Sequence, residues 1–279
     1  MLAVVLALTA SCAWGLADFT GGLKARTFPV PVVLLLVEGT GLVAVLAAIA
    51  LTGEPLPDTR AVLLSLGAGA VGVAALGTFY RALAIGTMGV VAPVSATGVA
   101  LPVVVGVATG NSLSAVVSAG LALAVAGVLL ASREEGGPGP GSRAARASIP
   151  LALVSAAGFG TYFVLSDVAA DQSVLWLLAF SRLVAMPVLV PLSLRAGGVP
   201  KGRADLSPLV VAGLLDVTAT GLYGAANRVG DLSVVAVVGS TYPVMTVLLA
   251  RVVLSERLRR LQAAGVAAAV TGVMLIAAG

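Results

Sequence analysis

Asp216, Thr220, Tyr223 and Asn227 recur at +4, +7 and +11 inside an otherwise apolar stretch. On a helix that spacing sets all four on one face. A carboxyl on such a face, away from bulk water, can bind a cation or hand a proton on, or hydrogen-bond structurally to a neighbouring helix. Glu38 and Arg182 interrupt two further apolar runs at comparable depth. Opposite charges so placed can pair with each other, divide the charges of a ligand between them, or serve structure alone. Trp14, Asp18, Tyr80, Tyr162 and Tyr223 add a third set. Their rings can stack on a substrate or cation, or anchor the chain at a membrane surface. Pro93, Pro102 and Pro243 each remove a helix hydrogen bond and permit a kink, with Ser95, Ser240 and Tyr242 as polar neighbours.

Much other chemistry is excluded. The chain has no histidine, so histidine bases, histidine metal ligands and Ser-His-Asp triads are ruled out. A single cysteine, Cys12, builds neither a cysteine-rich zinc site nor an internal disulfide. No constellation calls for a cofactor or a metal, and none suggests an enzyme. The net charge of +4 comes from cations that sit mostly between apolar runs. Membrane topology explains that placement, so no nucleic-acid partner is expected.

The elements that must hold these residues are membrane helices. Of 279 residues, 59% are hydrophobic and 10% charged, with a mean hydropathy of +1.11. That leaves too little polar surface to cover a water-soluble globule. A span needs roughly 20 apolar residues. Ten runs qualify, near residues 2–16, 30–51, 61–85, 90–109, 113–131, 149–166, 174–194, 206–228, 233–254 and 261–278. The first lacks a basic start and a clear cleavage site, and is expected to be a retained span rather than a signal peptide. The glycine- and proline-rich stretch 132–148 reads as a linker with no stable helix.

The sequence repeats on either side of that linker. Trp14-Gly15 matches Phe159-Gly160, Tyr80 matches Tyr223, and Val90-Val-Ala92 matches Val234-Val-Ala236. Gly120 and Gly127 match Gly265 and Gly272 at an offset of 145. Five spans is an odd number, so the second copy must insert upside-down relative to the first. The expected fold is an all-α membrane protein, ten transmembrane helices in two inverted five-helix repeats, residues 1–131 and 149–279. A small-molecule substrate near the midplane, in a multi-pass protein of the inner membrane, fits that plan. The four glycines are expected to let helices approach closely. Loops after spans one, five, seven and nine hold eleven cations, against Arg60 and Arg228 on the other side, which puts both termini outside.

The segment Ser240-Thr-Tyr-Pro-Val-Met-Thr-Val-Leu-Leu249, followed by Leu254-Ser-Glu-Arg-Leu258, Gln262, Gly265 and Gly272-Val273, resembles the closing repeat of EamA-type members of the drug/metabolite transporter superfamily. Trp14-Gly15 and Tyr80-Arg-Ala-Leu-Ala84 are similar to the same family. The resemblance implies transport of a small metabolite or drug, possible substrates including an amino acid or another zwitterion. Import and export both occur in the family. Two positions depart from its pattern: Gly110-Asn-Ser-Leu113 stands where Gly-Glu-Arg is common, and Glu38 stands where arginine is common. Relatives are often described with cytoplasmic termini, opposite to the charge count, so orientation stays open. The substrate-binding candidates are Trp14, Asp18, Glu38, Tyr80, Ser95, Tyr162, Arg182, Asp216, Tyr223, Asn227, Ser240 and Tyr242, with Asp216 and Glu38 the candidates for proton coupling.

Overall fold

The computed structural model describes residues 1–108, 114–131, 140–198, 200, 202–230 and 232–279. Among them there is no strand. The helices are α1 (Leu2–Lys24), α2 (Val30–Thr52), α3 (Thr59–Ile85), α4 (Met88–Ala96), α5 (Ala100–Ala108), α6 (Ala115–Ala131), α7 (Pro140–Ala170), α8 (Val174–Leu183), α9 (Met186–Ala196), α10 (Arg203–Val229), α11 (Leu232–Gly239), α12 (Tyr242–Val253) and α13 (Arg260–Ala278). Three pairs are halves of one run: α4 and α5 around a 3-10 turn at Thr97–Val99, α8 with α9, and α11 with α12. Counted so, the described residues form ten helices. Eight are long and apolar enough to cross a membrane, and the stretches Ala115–Ala131 and Val237–Val253 are shorter. Val43, Leu63, Leu129, Leu194 and Val252 are exposed on the outside, where a bilayer would cover them. This is a multi-pass membrane protein.

The three breaks have local causes. Proline removes the bond to the carbonyl four residues earlier and crowds it. Pro102 opens the helix at Gly98, Pro187 at Leu183 and Pro243 at Gly239. Pro93 instead sits inside α4 without ending it. Two boundaries differ from the sequence reading. The first helix continues past Leu16 to Lys24, because Asp18 faces protein rather than ending the apolar run. The linker yields to helix at Pro140, where Ser142-Arg-Ala-Ala-Arg-Ala147 is rich in helix formers and proline is tolerated in a first turn. The departure at Gly110–Leu113 falls outside the described residues.

The helices from either side of the linker interleave. α1 packs on α10 and α3 on α7; α3 packs on α8 and α2 on α10; α1 packs on α12 and α4 on α7. α6 lies antiparallel to α13, with glycines of each helix seated on the backbone of the other. A Cβ on Gly120 would come 2.9 Å from the Gly272 carbonyl oxygen, and one on Gly127 would come 2.7 Å from that of Gly265. In return, Gly272 abuts the Gly120 carbonyl and Gly265 that of Gly127. Small residues at this spacing let two backbones touch.

Side-chain ties close both ends of the bundle. At one end Ser255, with φ +55°, turns the chain so that Glu256 reaches α4. Its carboxylate accepts from the Met88 and Gly89 amides at 3.3 and 3.1 Å and from Arg26 Nη2 at 3.1 Å. A carboxylate on those free amides complements the start of α4. Lys24 pairs with Asp205 at 2.8 Å at the same end. At the other end Asp58 caps α3, accepting from the Ala61 amide at 2.8 Å and from Gln172 Nε2 at 2.7 Å. The Ala61 amide first, and then Gln172, hold the Asp58 carboxyl below its usual range. Its contribution to stability is therefore complete above the ordinary carboxylate range and is lost as pH falls through the depressed value. Asp58→Asn is expected to flatten the acid limb of a thermal-stability profile between about pH 5 and 3; an unaltered limb would dissociate this cap from acid sensitivity.

Candidate functional site

Glu38, Arg182 and Asp216 meet at the middle of the bundle. Glu38 lies eight residues beyond Val30, or roughly 12 Å along α2. Arg182 stands at the end of α8, next to the break before α9. Asp216 is at the centre of α10. The Arg182 side chain is 7% exposed, those of Glu38 and Asp216 14% and 35%, so the pair opens toward Asp216 rather than toward Glu38. Arg182 Nη2 donates to Asp216 Oδ2, and Nη1 donates to the Leu178 carbonyl at 3.3 Å. Its Nε has no hydrogen-bond partner and lies 3.7 Å from Glu38 Oε2. One guanidinium is thus shared between acids on two helices, bonded to one and only near the other.

Backbone contacts fix that arrangement. Gly69 of α3 lies directly on the Ser181 backbone, one residue before Arg182. Gly213 of α10 lies on the Val37 carbonyl, one residue before Glu38. Gly41, one turn beyond Glu38, leaves the space that Arg182 fills: a Cβ there would come 2.6 Å from Nε. The position of Arg182 at a helix C-terminus also suits its charge.

A second group adjoins the first along α1. Trp14 and Asp18 are one turn apart on the same face. Trp14 meets Tyr223 at 5.5 Å between ring centroids and Tyr242 at 6.5 Å, edge-on. All four side chains are half-buried. Asp18 is within electrostatic reach of Asp216, Tyr80 and Tyr242. It has neither an ion pair nor a hydrogen bond among the described residues. α1 is held against the break in the ninth span by Ser11 with Thr241 at 3.0 Å and by Thr246 Oγ1 donating to the Gly15 carbonyl at 3.2 Å.

The remaining sequence candidates spread around this centre. Tyr80 is fully buried, its ring seated over Gly21 of α1. Tyr162 stands over Gly72 and beside Ser181, near Arg182. Asn227 continues the α10 stripe one turn beyond Tyr223. Ser95 and Ser240 serve backbone instead: Ser95 donates to the Ala152 carbonyl at 3.4 Å, and Ser240 to that of Val237 at 2.8 Å. A cavity of about 830 Å³ lies apart from all of these, between α12 and α13, lined by Val244, Leu248, Arg251, Arg257 and Val270. Among the described residues no group of side chains is arranged to hold a metal ion.

Residues 146–278 match the model of the EamA-like transporter family. The second half of the chain is similar to that family. The EamA match takes in Arg182, Asp216, Tyr223 and Tyr242, whereas Trp14, Asp18 and Glu38 lie before it. A solved crystal structure resembles nearly the whole chain, with a TM-score of 0.68 at 17% identity, covering 98% of this chain and 96% of that one. That likeness extends the fold beyond the EamA segment. No curated protein matches. The similarity to the EamA-like family suggests transport of a small molecule across a lipid bilayer. The residues that sequence reasoning passed over are Gly41, Gly69, Gly213 and Pro187. Only Pro187 carried a signal in its type, and Gly41 stood three positions from a buried acid.

Proposed function

We propose that this chain is a secondary transporter of the inner membrane, working by alternating access around the Glu38–Arg182–Asp216 cluster. Its two halves, 1–131 and 149–279, are inverted copies. The packing supports that relation because several contacts have a partner with the halves exchanged: α1 on α10 corresponds to α3 on α7, and α2 on α10 to α3 on α8. Gly69 on Ser181 corresponds to Gly213 on Val37 at an offset of 144, and Gly120 on Gly272 corresponds to Gly265 on Gly127 at 145. At the same offset of 144, Glu38 corresponds to Arg182, so these two residues face each other across the pseudo-two-fold axis.

The shared guanidinium is the observation that carries the mechanism. Protonating Asp216 would free Arg182 to turn toward Glu38, and protonating Glu38 would tighten its hold on Asp216. Either change moves the end of α8, which the break at Val184–Ala185 leaves free to tilt against α9. Proton coupling through these acids follows from that exchange of partners.

Proteoliposomes test the reading. Uptake of a labelled solute panel is expected to respond to a pH gradient in the natural protein. Asp216→Asn or Glu38→Gln should abolish the driven component and leave solute exchange. Exchange and driven uptake lost together would assign the acid to substrate binding instead. Uptake indifferent to the gradient would make the protein an uncoupled facilitator, and a folded protein that moves no member of the panel would end the transporter reading.

A further inference from the structure

We propose that the Trp14, Tyr223 and Tyr242 rings, with Asp18, form the substrate site, and that it takes an organic monocation, an ammonium bearing apolar substituents. The inference rests on the transporter reading above and names the substrate class for it.

Charge supplies the first reason. Two carboxyls, Glu38 and Asp216, lie against one guanidinium, and a third, Asp18, is within electrostatic reach of Asp216. Arg182 is already committed, to Asp216 by a hydrogen bond, to Leu178 by another and to Glu38 by proximity. Among the described residues, the carboxylate of a zwitterion would find no cation at this cluster besides Arg182, and would have to displace Asp216. Asp18 is the acid left over. It has no partner among the described residues, although it lies inside a transmembrane helix, where an unpaired charge is costly. A cationic ligand supplies the missing partner.

Ring geometry supplies the second reason. Trp14 and Tyr223 stand tilted at 48° with centroids 5.5 Å apart, and Tyr242 lies edge-on to Trp14. The rings are tilted rather than stacked flat, and all three are half-buried, so each keeps some accessible surface. Aromatic faces attract cations through their quadrupole and also accept methyl and methylene groups. An alkali-metal ion would need oxygen ligands, which these rings do not provide in number. Asp18 one turn along the helix gives the counter-charge.

Benzyltrimethylammonium is the probe, with neopentylbenzene as its neutral isostere and phenylalanine as a zwitterion of similar size. Equilibrium binding to the full chain in detergent should detect the cation and neither of the other two. Asp18→Asn and Trp14→Leu should each weaken the cation about tenfold or more, whereas Trp14→Phe and Tyr223→Phe, which keep a ring, should retain most of the affinity. Thermal unfolding of each variant without ligand separates lost binding from lost fold. Equal binding of cation and isostere, or unchanged cation affinity in folded Asp18→Asn, would overturn the proposal. Uptake of phenylalanine in proteoliposomes without cation binding would refute the cation site while leaving the transporter standing. No uptake of any class would remove the transporter reading as well.

Discussion

Arg182→Met is expected to lower stability by about 3–5 kcal/mol and to abolish transport. The loss of a buried partner leaves Asp216 without its donor and strips the more buried Glu38 of its nearest positive charge. Methionine fills a similar length of space, so a cavity adds little to the effect. The same reasoning predicts relief. Arg182→Met combined with Asp216→Asn removes one of the two uncompensated charges and should recover part of the lost stability, while transport stays absent because nothing remains to change partners. Arg182→Lys should fold but transport poorly, since one ammonium cannot bond to Asp216 on α10 and approach Glu38 on α2 as a planar fork does. Thermal unfolding in detergent and proteoliposome uptake measure the two effects. A stable, transporting Arg182→Met protein would show that the cluster is dispensable.

Gly69→Ala and Gly213→Ala are expected to be nearly as severe, and similar to each other. Each added methyl would strike backbone, at Ser181 and at Val37 respectively, which a rotamer change cannot relieve. Overpacking of this kind costs about 1–3 kcal/mol. The struck residues immediately precede Arg182 and Glu38, so both substitutions should also impair uptake beyond what their stability loss explains. Gly39→Ala and Gly221→Ala, where a Cβ meets nothing within 4 Å, serve as controls and should be tolerated. A severe Gly69→Ala with a silent Gly213→Ala would argue that the two contacts are not equivalent, and with that the inverted repeat would lose its best support.

The sequence made the all-helical membrane fold and its ten apolar runs legible because both follow from composition and run length. It also brought Glu38 and Arg182 to notice, since a charge in an apolar run stands out without any knowledge of neighbours. The Arg182–Asp216 bond was not legible. Helical periodicity tells which residues share a face of one helix, and says nothing about which face of another helix it meets. For the same reason Asp18 read as the end of a span, when it is an interior acid. Gly41, Gly69 and Gly213 matter through what an absent Cβ permits, and a chain with 34 glycines offers no local mark to single them out. Ser95 and Ser240 illustrate the reverse: both read as polar wall, and both spend their hydroxyls on nearby carbonyls.

Glu38 and Arg182, facing each other at equivalent positions, bear on how such a chain can arise. With the halves related as proposed, a five-helix ancestor that dimerised with its own copy would have set arginine against arginine, or glutamate against glutamate. Neither confrontation is tolerable in so dry a place without a bound counter-ion or proton. The present division of signs requires two separately mutable copies, and therefore a duplicated gene, before it can be written into the protein.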